Sequence, residues 1–177
     1  MSPAVWYFAR SAGLVAYLLL SASVILGVLM SARASFTWPR FAVEEVHRFL
    51  AILTGIFVTL HGASLLLDRV VPIGLGQMLV PFTSSYRPLA VGLGVTAAEL
   101  MAAVALTNLF RQQLPRTVWR KAHYLTLAVW ALASLHGVLA GTDRGVPWFA
   151  GVVAASFTAV CLALVVRLNR AGALVSG

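Results

Sequence analysis

The chain has 177 residues, of which 60% are hydrophobic and only 10% charged, with a mean hydropathy of +0.91 and a formal net charge of +8. Those values exclude an ordinary soluble domain and define an integral membrane protein, in contact with membrane lipid. The lysines and arginines fill the short gaps between apolar runs and form no continuous basic face, so no nucleic-acid partner is expected.

Apolar windows of about 20 residues, the length that crosses the hydrocarbon core, predict an all-α bundle of five spanning helices. They fall at about 4–30, 46–67, 88–110, 119–140 and 147–167. The first carries a decoy: Arg10, the run from Gly13 to Met30 and the Ala-x-Ala at Ala32 to Ala34 imitate a cleavable signal peptide. The run is longer than the roughly 7–15 apolar residues of a signal peptide, so it is read as a retained first helix.

The second helix holds His47 and His61 and ends in H-G-x5-D-R-x-V-P, a pattern that returns 75 residues later after His136. Between the second and third helices Pro72, Gly74, Gly76 and Pro81 break helical continuity within an apolar stretch, which is expected to lie along one membrane surface. The third helix places Glu99 near mid-membrane, where an ionised carboxylate is costly. It is expected to be protonated, paired or turned to a polar cavity. The string Gly92 to Ala97, GLGVTA, imitates a dinucleotide fingerprint but lies inside an apolar run, and is read as close helix packing.

The fourth helix holds the other two histidines, His123 and His136. Trp130 lies between them, and Thr54 occupies the equivalent midpoint of the second helix. Simple packing is the plainer reading of Trp130, beside a role as an aromatic between two cofactors. The fifth helix contains Cys161, the single cysteine, so there is neither a disulfide framework nor a CxxCH for covalent haem attachment.

Orientation follows from the cations. With the N-terminus outside, the inner side holds Arg33, Arg40, Arg48, Arg111, Arg116, Arg120, Lys121, Arg167 and Arg170, against Arg10, Arg69, Arg87 and Arg144 outside. The positive-inside rule favours N-out and C-in, the expected arrangement being a multi-pass protein of the bacterial inner membrane with a cytoplasmic C-terminus.

Both histidine helices then run from inside to outside, which puts His47 and His123 at an inner level and His61 and His136 at an outer one. At about 1.5 Å rise per residue the levels stand roughly 20 Å apart, so the histidines pair across helices and not along them. With no nearby Cys, Asp or Glu to complete a zinc or non-haem iron shell, two facing imidazoles suit the axial positions of a haem iron. Two stacked b-type haems are the expected cofactors. Gly62 and Gly137, directly after the outer histidines, would allow close approach of a macrocycle. Arg69 and Arg144 outside, and Arg48, Arg120 and Lys121 inside, are candidate propionate partners, anchoring of helix ends being the plainer role. Asp68 and Asp143, each followed by Arg, read as interfacial ion pairs.

Helical phase is uneven. The 14-residue step from His47 to His61 falls about 40° short of four turns, the 13-residue step from His123 to His136 about 140° short. The fourth helix is therefore expected to tighten, kink or approach its two cofactors differently.

The four-histidine pattern resembles the ferric reductase-like transmembrane family, which includes the membrane domains of NADPH oxidases and eukaryotic ferric reductases and the bacterial haem subunit serving periplasmic methionine sulfoxide reductase. That family places two histidines on each of two parallel helices, typically 14 and 13 apart, and the resemblance covers roughly residues 10–167. It implies inner-haem ligation by His47 and His123 and outer-haem ligation by His61 and His136. Many members have six helices, the first of which has no counterpart here. NADPH oxidases and ferric reductases continue into a flavin and nicotinamide domain. None is expected within residues 1–177, read as one transmembrane domain without an FAD or NAD(P) site.

The expected function is transmembrane electron transfer, as the haem-carrying component of an oxidoreductase. A separate cytoplasmic flavoprotein or membrane quinol would supply electrons, and oxygen, a ferric chelate or a periplasmic protein would accept them. The competing readings are a quinol-oxidising cytochrome b-like module of a respiratory complex, against which the absent Pro-Glu-Trp-Tyr string counts, and a haem-free structural or assembly protein.

Overall fold

The computed structural model describes residues 4–34, 36–68, 73–143 and 145–173. They form α1 (Ala4–Ser31), α2 (Arg40–Leu67), α3 (Leu75–Leu79), α4 (Pro88–Leu109), α5 (Arg116–Ala140) and α6 (Pro147–Ala173). All but α3 are long and apolar enough to cross a bilayer. The architecture is that of an all-helical, multi-pass membrane protein.

Three of the five run three or more residues past the apolar windows, among them α5, which starts at Arg116 instead of the predicted 119. α2 starts at Arg40, six residues before the predicted 46, because the Pro39 carbonyl accepts the Ala42 and Val43 N–H groups and opens a helical turn in charged sequence. α6 continues to Ala173 through Arg167 and Arg170. Hydropathy marks the part of a helix that prefers hydrocarbon, whereas backbone hydrogen bonding carries the helix on into the polar layer. Large apolar side chains such as Ile52, Ile56, Leu106, Leu135, Phe157 and Leu162 face outward, as a hydrocarbon solvent allows.

The chain divides into two compact units: one of residues 1–14 and 58–142, the other of residues 15–57 and 143–177. In the first, α4 and α5 are antiparallel neighbours. Arg87 and Ala90 bond to the C-terminal turns of α5, and Asn108 bonds to Trp119 near its start. Small buried residues of α4, Ala90, Gly92 and Ala97, permit the close approach that membrane helices depend on. Gly92 receives the ring of Phe82, for which a β-carbon there would leave no room. The GLGVTA string thus serves packing, Gly92 against Phe82 and Gly94 against His136. The exposed apolar residues Leu75, Leu79 and Val80 of and after α3 suit the membrane-surface role expected of this connection.

In the second unit α1 ends in a Schellman-type turn. Ala34 N–H reaches back to the Leu29 carbonyl at 3.1 Å across Arg33, which adopts the left-handed conformation (φ 53°). Arg170 of α6 donates to the Arg33 carbonyl at 2.8 Å. Deeper in, Ser156 of α6 donates to Ser21 of α1, whose hydroxyl bonds the Tyr17 carbonyl, so the buried hydroxyls are satisfied away from water.

Candidate functional site

Three of the four histidines are held in one repeated way. His61 Nδ1 lies 2.8 Å from the Ala9 carbonyl of α1, His136 Nδ1 2.8 Å from the Ala90 carbonyl of α4, and His47 Nδ1 2.9 Å from the Ser23 carbonyl of α1. A carbonyl only accepts, so each Nδ1 carries the proton and each Nε2 is left with its lone pair.

Each accepting carbonyl is followed four residues later by glycine: Ala9 by Gly13, Ser23 by Gly27, Ala90 by Gly94. A helical side chain lies over the turn on the N-terminal side of its own Cα, so a side chain at the fourth residue would cover the carbonyl. Glycine uncovers it. A β-carbon at Gly94 would stand 2.6 Å from His136 Nδ1, one at Gly13 3.0 Å from His61 Nδ1, and one at Gly27 3.2 Å from His47 Cε1. The sequence marks Gly94 only as part of a close-packing string and Gly13 and Gly27 not at all, because the histidines lie 46, 52 and 24 residues away from the carbonyls that Gly94, Gly13 and Gly27 uncover. The available signal was a glycine on a neighbouring span with a small residue four before it.

Within the first unit His61 and His136 come together, their ring centroids 6.2 Å apart and their planes at 75°. His123 is held differently. Its ring stacks on Trp119, one turn earlier on α5, with centroids 5.4 Å apart and planes 23° from parallel. Trp119 is in turn fixed by its indole N–H, which donates to Asn108 Oδ1 at 2.8 Å. α5 is α-helical throughout, so of the outcomes left open by the 13-residue step it shows different surroundings for its two histidines and no change of helix type.

The remaining site residues fall as follows. Trp130 is buried on α5 and Thr54 on α2, where the threonine hydroxyl returns to the Leu50 carbonyl at 2.8 Å. A β-carbon at Gly62 would meet nothing within 4 Å, and the Gly137 carbonyl accepts the Gly141 N–H that closes α5. Arg48 pairs with Glu45 at 2.6 Å, both well exposed, while Arg120 and Lys121 are exposed beside His123. Arg69 and Arg144, and with them the ion pairs expected of Asp68 and Asp143, lie outside the described residues. Glu99 is exposed on α4. Among the described residues no group of three or more His, Cys, Asp and Glu could hold a metal ion.

Fold and site together define a multi-pass helical membrane protein with a facing pair of tautomer-fixed histidines in one unit. The chain belongs to the family described as Domain of unknown function (DUF8596), whose model matches residues 4–143. The match takes in α1 to α5, with all four histidines and the three glycines behind them. Comparison with curated proteins and with solved structures gives no match.

Proposed function

We propose that this protein carries electrons across the bilayer through two b-type haems, as the membrane component of a ferric reductase-like oxidoreductase. The observation that carries the reading is the His61/His136 pair. Their ring centroids stand 6.2 Å apart on two different helices, near enough that the two imidazoles would hold one haem iron between them. The carbonyl that binds each Nδ1–H supports the same reading, because metal-ligating histidines commonly give their second N–H to such a partner.

On this reading His61 and His136 hold one haem and His47 and His123 the other. His47 contributes the same Nδ1-to-carbonyl tether, and His123 a ring plane set by Trp119. When bound, each haem would supply a one-electron couple. The chain's own share would be to hold the imidazoles in the ligating tautomer, with Trp130 buried on α5 and Thr54 buried on α2 at the midpoint between the histidines of each helix. Hydride chemistry needs a fold that sets a nicotinamide against a flavin. We therefore assign the donor to a separate flavoprotein or quinol on the inner side, and the acceptor to the outer side of a bacterial inner membrane, with the N-terminus outside as the positive-inside rule favours.

A visible spectrum of the purified protein tests the reading: a Soret band with sharp reduced α and β bands and two haems per chain is expected. A pure, colourless protein from haem-replete cells removes it. A reproducible single haem removes one pair. NADPH alone should not reduce the haems, whereas a quinol analogue or NADPH with a flavin reductase should.

A further inference from the structure

Arg87 stands immediately before α4 in the left-handed region, φ 43° and ψ 63°. A residue with a side chain adopts this conformation at a cost, and the following Pro88 narrows its choices further. The turn that delivers it is locally fixed: Ser84 Oγ accepts the Tyr86 N–H at 3.2 Å and donates to the Tyr86 carbonyl at 3.0 Å, and the Arg87 guanidinium lies 5.4 Å from the Tyr86 ring centre.

From there Arg87 Nη1 donates to the Leu139 carbonyl at 3.0 Å and the Ala140 carbonyl at 3.2 Å. Both belong to the last turn of α5, whose carbonyls have no partner within their own helix and attract a cation. The return bond leaves that part of α5: His136 donates from Nδ1 to the Ala90 carbonyl in the first turn of α4. Hydrogen bonds thus run in both directions between the same two helix ends, with Arg87 and Ala90 three residues apart on one and His136 and Leu139 three apart on the other.

We propose that Arg87 is the positioning residue for His136. Its guanidinium holds the end of α5 at the axial height at which Nδ1 meets the Ala90 carbonyl over Gly94, with the ring centroid 6.2 Å from that of His61. The ordinary function of a helix-end arginine, satisfying loose carbonyls, does not require the strained backbone that aims this one. The assignment rests on the reading of the His61/His136 pair as a haem site.

Three variants separate the contributions: Arg87→Met removes the donor fork, Arg87→Lys keeps the charge, and Arg87→Gly removes the fork while relieving the backbone. Haem content, the low-spin signals of each haem, and histidine ¹⁵N spectra of protein produced under haem limitation would be measured. In Arg87→Met and Arg87→Gly the His61/His136 haem should be held about 10- to 100-fold more weakly, with the other haem unchanged and Arg87→Lys between. In the haem-depleted variants His136 should lose its single Nδ1–H tautomer while His61 keeps it. Unaltered affinity and signals in both Met and Gly variants overturn the proposal, as does equal loss of both haems. Should the wild type hold no haem, the functional reading falls. The clamp is then decided by the ¹⁵N spectra alone, an unmoved His136 tautomer in Arg87→Met overturning it.

Discussion

The two ends of α5 each hold a histidine, by unlike means. Near its C-terminus His136 is tied through Nδ1 to a carbonyl of another helix and recessed against Gly94; near its N-terminus His123 lies on the indole of Trp119, itself tied to Asn108. A hydrogen bond to a carbonyl sets both the tautomer and the direction of a ring, while a stack sets its plane. The two levels should therefore respond to substitution with different severity.

The largest effect is expected from the four histidines proposed as ligands. His61→Ala or His136→Ala should remove one haem and spare the other, and His47→Ala or His123→Ala should do the reverse, halving haem per chain in each case. Haem quantification with redox titration of what remains would show it. If His47 and His61 variants lost the same haem, pairing across helices would be wrong.

Next come the recesses, ranked by the room each leaves. A β-carbon at Gly94 comes within 2.6 Å of a relatively fixed ring, so Gly94→Ala should displace His136 and weaken its haem by about 10- to 100-fold. Gly13→Ala, at 3.0 Å from His61, should be milder, and Gly27→Ala, at 3.2 Å from His47, milder still. Competition with a haem-binding protein gives the three affinities. A reversed order would mean that the glycines serve general helix packing and do not set the rings.

How much of this was legible in the sequence follows from the range of the forces involved. The five spans were, because hydropathy is a local sum over residues next to one another in the chain. The charged beginning of α2 was not, since Arg40 to Glu45 look like a loop to a hydropathy window and are helical through backbone bonding from Pro39. Gly13 and Gly27 carried no local mark of purpose and Gly94 only that of a packing glycine, while Gly62, adjacent to a candidate ligand, stood out although a β-carbon there would meet no described neighbour within 4 Å. Arg87 was read only as an outer cation, because neither its backbone conformation nor the carbonyls it reaches, 52 and 53 residues on, are encoded nearby.

At the stacked end the expected change is smaller. Trp119→Leu removes the plane under His123 but leaves the histidine and its helix in place, so the His47/His123 haem should be retained with an altered reduction potential and broader low-spin signals. The His61/His136 haem should not change. Loss of the first haem altogether would show that the stack, and not the imidazole alone, is indispensable at this level.

The smallest effect on the protein is the most discriminating for the cofactor. A β-carbon at Gly62 meets nothing within 4 Å, and alanine is favoured over glycine inside a helix by about 1 kcal/mol, so Gly62→Ala should leave haem-depleted protein as stable as before, or slightly more so. Gly62 directly follows His61, where a macrocycle held by that histidine would pass close to the backbone. The same substitution should then shift the potential of the His61/His136 haem in the loaded protein while sparing the other haem. Thermal unfolding of the haem-depleted form and redox titration of the loaded form separate the two effects. An unchanged potential would leave Gly62 as an outward-facing helix residue and confine the close contacts of this level to the recess behind each ring.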